Sequence, residues 1–442
     1  MSLPPGPASP ALLQTWKWIR NPNAVLDACR AKYGARFTLR FPHGRNFVIL
    51  ADPADVKTVF TGPPDVFLSG KANQTFIPFL GRHSLFVLDL EPHSRHRRLL
   101  MPPFQGERMR AYGTLIRDVA LRAIERWPVG QPFRAIDAMH AITLEVIIRA
   151  VFGVSDAEGV ERMRGLLIRL AARAPAMLLF LPWLQLDLGP LSPWGRFLRA
   201  RRAVDEALDA ELARLRATPE GREDILAKLL EEGARRGDPL ADVEVRDELL
   251  TLLAAGHETT TASLAWALQW ILGTPGTLDR VLAELREVVG EGPGDPQHVP
   301  RLRYLDACVT ESLRLTPVIT MAVRFLANDT VVGGDTLPAG TVVCPCAHLV
   351  QRDPALYVEP LAFRPERFES KRPSPFEWFP FGGGNRTCIG MAFALYEMNV
   401  VLATVLHRAR LRLAGEPSFD IRRRGIVVAP RGGTPVVYEG PR

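Results

Sequence analysis

The chain has 442 residues, 47% of them hydrophobic, enough to bury a large core and too apolar for an intrinsically disordered protein. Its net charge of +7 is carried almost wholly by arginine, with lysine only at 17, 32, 57, 71, 228 and 371. No basic stripe interleaved with aromatics occurs, so nucleic acid fits poorly, and an acidic protein partner or bound carboxylates fit better.

The N-terminal run Leu3-Pro4-Pro5-Gly6-Pro7 is followed by two short β-rich runs, Phe37–Arg40 and Phe47–Leu50, joined by a Pro-His-Gly turn. From about Arg108 to Leu313 helical periodicity dominates. The longest apolar patch, Met177 to Leu184, is too short to span a bilayer and contains a proline. Near Asp242 an acidic start leads into an apolar pattern that stops at Gly273-Thr274-Pro275-Gly276, which predicts one buried helix of about 30 residues. After Pro317 the chain turns β-rich at Val331-Val332 and Thr341–Val343, and it closes with a predicted strand pair around Gly425–Val428 and Pro435–Tyr438. The fold class is mainly α (α+β). No Ser/Gly linker or repeat divides the chain, so we expect a single domain over residues 1–442. Its β-rich portions fall at about 35–70, 318–350 and 410–442, and its helical portions at about 90–316 and 388–408.

Cysteines stand at 29, 308, 344, 346 and 388. An odd number in a long chain without a signal peptide argues for a reducing cytoplasm rather than a disulfide framework. Cys344-Pro345-Cys346 has no second Cys/His pair at zinc spacing and follows two valines, so it reads as buried strand. Cys388 is different. It ends the loop Phe381-Gly382-Gly383-Gly384-Asn385-Arg386-Thr387 and precedes Ile389-Gly390 and an apolar segment. A P-loop would need Gly-Lys-Ser/Thr here. A thiolate wants a positive environment, which Arg386 and a helix N-terminus would supply, and glycines would admit a flat bulky ligand. Cys388 is therefore a candidate metal-ligating thiolate.

In the middle of the long predicted helix, Ala255-Gly256-His257-Glu258-Thr259-Thr260-Thr261 is poor helix material. An interior glycine costs roughly 1 kcal/mol against alanine, and three consecutive β-branched threonines add to it. A zinc protease motif fails because position 261 is threonine. Glu311-Ser312-Leu313-Arg314 sets an acid and a guanidinium on one helix face, and Phe363-Arg364-Pro365-Glu366-Arg367-Phe368 lies before the cysteine loop.

Together these motifs resemble the cytochrome P450 family of haem-thiolate monooxygenases. The look is of the soluble bacterial type, and closest to a cyanobacterial-type branch linked to lipid and terpenoid oxidation. The resemblance implies the family's triangular fold, with the long helix over haem b. It implies Cys388 as the axial iron ligand, with Phe381, Gly382 and Gly390 shaping its loop, and thiolate ligation favours O–O cleavage. It further implies that Ala255 and Gly256 leave room for O2 and that Glu258 and Thr259 relay protons. Glu311, Arg314 and Arg367 would lock the core beside the cysteine loop. His93, Arg97, Arg324 and Arg386 would hold the haem propionates. Electrons would come from NAD(P)H through ferredoxin and its reductase, or through flavodoxin. No fused reductase is expected, because the chain ends about fifty residues after the cysteine. The basic residues at 95–98 and 108–110 would dock that acidic partner on a monomeric, cytoplasmic enzyme without a transmembrane anchor. The substrate pocket would draw on Phe76, Phe79, Met177, Phe180, Val318, Ile319, Met321, Ile426 and Val427, nearly all apolar, which points to a terpenoid, fatty acid or polyketide. A peroxide-driven peroxygenase and a non-catalytic haem sensor are the competing readings.

Overall fold

The computed structural model describes residues 3–42, 45–104, 108–153, 157–173, 178, 181–217, 224–292, 294–370 and 373–442. Its organising element is the central helix Asp242–Gly273, 32 residues long. The helix opens where the Ala241 N–H donates to Glu244 Oε2 at 2.8 Å, and it closes at Thr274, ahead of Pro275. Leu249, Leu250, Leu253, Leu264, Ala265, Leu268 and Ile271 are essentially inaccessible, so apolar residues all round this helix are matched by neighbours all round it. Those neighbours include the helices Ala135–Phe152, Arg303–Leu315 and Met391–Arg408.

Short strands occur at β1 (Arg36–Arg40), β2 (Asn46–Leu50), β3 (Phe67–Leu68), β4 (Pro132–Arg134), β5 (Arg324–Leu326), β6 (Thr330–Val332), β7 (Asp335–Leu337), β8 (Val342–Pro345), β9 (Ala409–Leu413), β10 (Ile421–Arg424), β11 (Val427–Pro430) and β12 (Pro435–Pro441). The largest sheet has the order β1-β2-β8-β5-β3, with β2 and β8 parallel and the other pairs antiparallel. Its apolar residues form a second core that takes in Cys344 and Cys346, both fully buried, as expected for strand residues rather than ligands. The proline-rich start docks on this sheet through Thr38, whose N–H donates to the Pro5 carbonyl at 2.9 Å and whose hydroxyl donates to that of Pro4 at 2.7 Å.

The closing strand pair is a correction. β11 pairs with β10 through the turn at Gly425-Ile426, whereas β12 pairs with β4 and β9. β propensity marked both segments, but it carries no information about partners. Among the described residues, no single helix is long and apolar enough to cross a membrane.

Candidate active site

The cysteine loop is held from both ends. The Cys388 N–H donates to the Phe381 carbonyl at 2.9 Å, and Met391 then begins the helix Met391–Arg408. Two of the glycines answer to packing rather than to a ligand. A Cβ on Gly383 would lie 2.2 Å from the Phe60 ring, and Gly384 has φ +66° with its Cβ position 2.1 Å from the Phe60 carbonyl oxygen. The loop is thus seated on the helix Pro53–Thr61. By contrast, a Cβ on Gly390 would meet nothing within 4 Å.

Cys388 keeps accessible surface while its neighbours Gly383 and Phe393 are buried. Enough protein surrounds the sulfur that burial raises the thiol pKa, against the opposing pull of the Gly390 N–H and of Arg97. The expectation that Arg386 would depress this pKa is therefore corrected. The Arg386 guanidinium donates to the carbonyls of Leu85 and Leu88 and to the Asp89 carboxylate instead.

His93, Arg97, Arg324 and Arg386 come together from three parts of the chain. Burial, then Arg386, Arg97 and Arg324 in turn, push the His93 pKa down to about 3. Burial and mutual repulsion also bring Arg324 down to about 10. Arg386 falls to about 10 through burial, partly offset by Asp89. Arg324 donates to the carbonyls of Val323 at 2.9 Å and Gly383 at 3.1 Å and meets no carboxylate. Among the described residues the Arg97 guanidinium has no hydrogen-bond or ion-pair partner. Guanidinium groups so placed favour a bound anion.

Midway along the central helix, Ala254 and Ala255 are exposed although the helix is otherwise largely buried. Gly256 keeps partial exposure, and its smallness also serves packing: its Cβ position lies 3.0 Å from Ile147 Cδ1, so it admits the helix Ala135–Phe152. The Thr259 hydroxyl donates to the Ala255 carbonyl at 2.6 Å, bonding back to its own helix. Glu258 turns elsewhere, with Oε1 3.2 Å from Arg424 Nη2.

Glu311 and Arg314 are fully buried and joined by bonds of 2.6 and 2.8 Å, and Arg367 Nε adds a third at 3.2 Å. The Arg314 fork also donates to the carbonyls of Gln351, Pro360 and Ala362. Gln351 then reaches the cysteine loop, its Oε1 accepting the Phe379 N–H at 2.8 Å.

Comparison with known proteins fixes what this assembly belongs to. The sequence profile of the cytochrome P450 family matches residues 4–435. The chain belongs to the cytochrome P450 family. Cytochrome P450 135B1 of Mycobacterium tuberculosis is 36% identical over 100% of this chain and 92% of that protein. Cytochrome P450 138 of Mycobacterium bovis is 37% identical over 98% and 96%. The retinoic acid-bound cyanobacterial CYP120A1 shares the fold, with a TM-score of 0.85 at 23% identity and full coverage of both chains. This bacterial cytochrome P450 is accordingly a monooxygenase that uses haem iron and dioxygen.

The residues present fit a haem. An accessible sulfur, three mutually repelling guanidinium groups beside a neutral His93, with Asp89 as the anion of Arg386, and exposed alanines inside a buried helix are a donor set with a ligand to match. Asp89 escaped sequence reasoning. It accepts the N–H groups of Gly70 at 2.8 Å and Lys71 at 2.7 Å, tying the segment before His93 to Arg386, and its place ahead of the helix Leu90–Leu100 was the available signal. Gln351 and Arg424 carried no local signal at all.

Of the pocket residues expected in this cytochrome P450, Met177 and Phe180 lie outside the described residues. Val318 and Val427 are buried in a small core with Trp266, while Ile319 and Ile426 keep partial exposure against it. The Phe79 ring packs 4.8 Å from Phe197 and 6.0 Å from Trp194, Phe76 lies edge-on to Phe86 at 5.1 Å, and Met321 flanks the sheet core. The expected basic docking face is reduced. Arg95 bonds Asp238 and Glu244, and His96 is buried against Glu248 at 2.6 Å, so neither is a free surface cation. The side chains of Arg108 and Arg110 lie outside the described residues.

Proposed function

We propose that this enzyme oxidises a lipophilic small molecule and that Cys388 would supply the thiolate that holds the haem iron. The observation that carries the reading is the convergence of Arg97, Arg324 and Arg386 on one excess of positive charge beside the cysteine loop, with a neutral His93 among them. These three guanidinium groups would hold the two propionates through charge-assisted hydrogen bonds, with His93 as a neutral donor beside them. A bound metal cation would reverse the upward drift of the Cys388 pKa and keep the sulfur ionised. When bound, the haem supplies the reductive activation of dioxygen, and thiolate ligation favours O–O cleavage.

The chain's own residues do the rest. Ala255 leaves accessible space midway along the central helix. Thr259, donating to Ala255, presents its oxygen lone pairs and can reverse its hydroxyl to donate. Glu258 supplies protons to Thr259 once it swings from Arg424. Glu311, Arg314 and Arg367 hold the loop by way of Gln351. The presence of the Glu258-Thr259 pair favours dioxygen over peroxide as oxidant.

Apolar residues over the expected pocket support a terpenoid, fatty acid or polyketide substrate. The retinoic acid of the cyanobacterial structure is a molecule of the same kind. NAD(P)H electrons would arrive through a ferredoxin or flavodoxin. Four buried, unpaired cysteines suit a reducing cytoplasm. The deciding experiment is the ferrous carbon monoxide spectrum of Cys388→Ser against the parent. A band near 450 nm in the parent that is lost in the variant supports the assignment; absence of the band from both sinks it. Thr259→Ala should consume NAD(P)H at a similar rate with less product.

A further inference from the structure

Glu258 sits in a cluster that a two-residue relay does not require. His140 comes from the helix Ala135–Phe152, His257 and Glu258 from the central helix, and Arg424 from the end of β10. Glu258 Oε1 is 3.2 Å from Arg424 Nη2, 3.7 Å from His140 Nδ1 and 3.8 Å from His257 Nε2. The two imidazoles meet edge to face, with ring centroids 5.4 Å apart.

The histidines are not equivalent. His257 Nδ1 donates to the Leu253 carbonyl at 2.6 Å, which fixes that tautomer and leaves Nε2 as a lone pair facing a carboxylate. Its side chain is 7% exposed, so solvent does not load it. His140 is 22% exposed, yet its Nδ1, on the side of Glu258, is buried without a hydrogen-bond partner. One ring therefore reaches from solvent to the carboxylate.

We propose that His140 loads Glu258 with protons from solvent, and that Arg424 and His257 are positioning residues for this transfer. The proposal rests on reading Glu258-Thr259 as the proton relay. The transfer balances: one proton enters at His140 Nε2 and one leaves from Nδ1 to the Glu258 carboxylate, and the Nε2–H tautomer so formed returns to the Nδ1–H tautomer by giving one proton to water and taking one from it. At 3.7 Å the pair is beyond hydrogen-bond range, so rotation of Glu258 or one bridging water must close the gap. The groups facing His140 are His257, Glu258, Arg424 and, on its own helix, Asp137. Burial first, then His257, push its pKa down to about 4, which suits a neutral shuttle rather than a standing imidazolium. The same three ligand atoms lie within 4.8 Å of one another and could hold a divalent cation. The guanidinium at 3.2 Å already supplies a positive charge to the shared oxygen, which disfavours a doubly charged ion there.

The test compares holoenzyme with His140→Gln, Arg424→Gln and Thr259→Ala. In His140→Gln the product formed per NAD(P)H should fall about threefold to tenfold, less than a lost general acid because water can substitute. The Soret maximum and substrate affinity should not change. Arg424→Gln removes a cation that lowers the His140 pKa, so the acid limb of the coupling profile should move to higher pH. Independently of turnover, carbon-13 NMR of labelled histidine in the diamagnetic ferrous carbonyl form should find His140 neutral down to about pH 5, with a tautomer ratio that responds to Glu258→Gln. Coupling unchanged in His140→Gln while Thr259→Ala uncouples overturns the proposal and leaves the relay. Coupling unchanged in both overturns the relay as well. One equivalent of Zn2+ bound by the parent and lost in His140→Gln, with coupling unchanged, makes the cluster a cation site and also overturns the proposal.

Discussion

Glu311 and Arg314 stand one helical turn apart and meet through two hydrogen bonds of 2.6 and 2.8 Å, with neither side chain exposed. Removing one partner strands the other charge in the core, so Glu311→Gln should cost about 3–5 kcal/mol. Arg314→Lys should fail almost as badly, because an ammonium cannot reproduce the fork that also reaches the carbonyls of Gln351, Pro360 and Ala362. Guanidinium chloride midpoints of haem-free protein measure the loss, and the yield of the 450 nm band shows whether the cysteine loop survives it.

Arg97 should give opposite signs with and without haem. In the apoprotein it is a partly buried cation with no partner among the described residues and a pKa that burial lowers. Arg97→Leu should therefore stabilise the apoprotein by about 1 kcal/mol. In the holoprotein the same change removes a charge-assisted bond, and haem loss should speed up about tenfold. Thermal unfolding of the apoprotein and the rate of haem transfer to an acceptor protein read the two effects separately.

His140 predicts an acid limb of stability. Its folded-state pKa is pushed down to about 4 from an ordinary value of 6.5. Between those values the unfolded chain binds the extra proton, so stability is lost as pH falls from about 6.5 towards 4 and is flat above. The expected loss is a few kcal/mol, and urea midpoints at pH 7 and 5 should lie closer together in His140→Gln than in the parent.

Glu397 should act at the opposite end of the scale. Its carboxyl is buried, Oε1 has no hydrogen-bond partner, and burial raises its pKa well above the ordinary 4.5. Here the folded state holds a proton that the unfolded chain releases, so stability falls as pH climbs past about 4.5. Glu397→Met should be stabilising, by about 1–3 kcal/mol at neutral pH, with the gain larger at pH 8 than at pH 5. Equal gains at the two pH values would contradict the buried-acid account.

What could be read in advance follows a physical line. The central helix and the cysteine loop were legible because each is written in a contiguous stretch: apolar periodicity ending at Gly273, and glycines leading to Cys388. Side-chain partners were not legible where the chain returns from far away. Arg424 reaches Glu258 across 166 positions and Arg386 reaches Leu85 across 301, and no local pattern encodes either meeting. Gly256 shows how a local signal can carry a distant meaning. Its Cβ direction faces Ile147 from another helix, a packing partner that the helix's own sequence does not announce. The strand error has the same origin, since β11 and β12 were both visible as strands while their partners β10, β4 and β9 were arginine-rich or very short.

The seating of Gly383 and Gly384 on Phe60, and of Arg386 on residues 85 to 89, has a consequence for the order of events during synthesis. The thiol and Arg386 leave the ribosome some 300 residues after the segments that seat them. A nascent chain halted before residue 386 carries at most two of the three guanidinium groups and lacks Cys388. Loop closures of this length are slow relative to local helix formation, so the helices around residues 135–152 and 242–273 form first. A cofactor held by Cys388 would then be captured only once the segment that carries the thiol arrives on a platform made some 300 residues earlier.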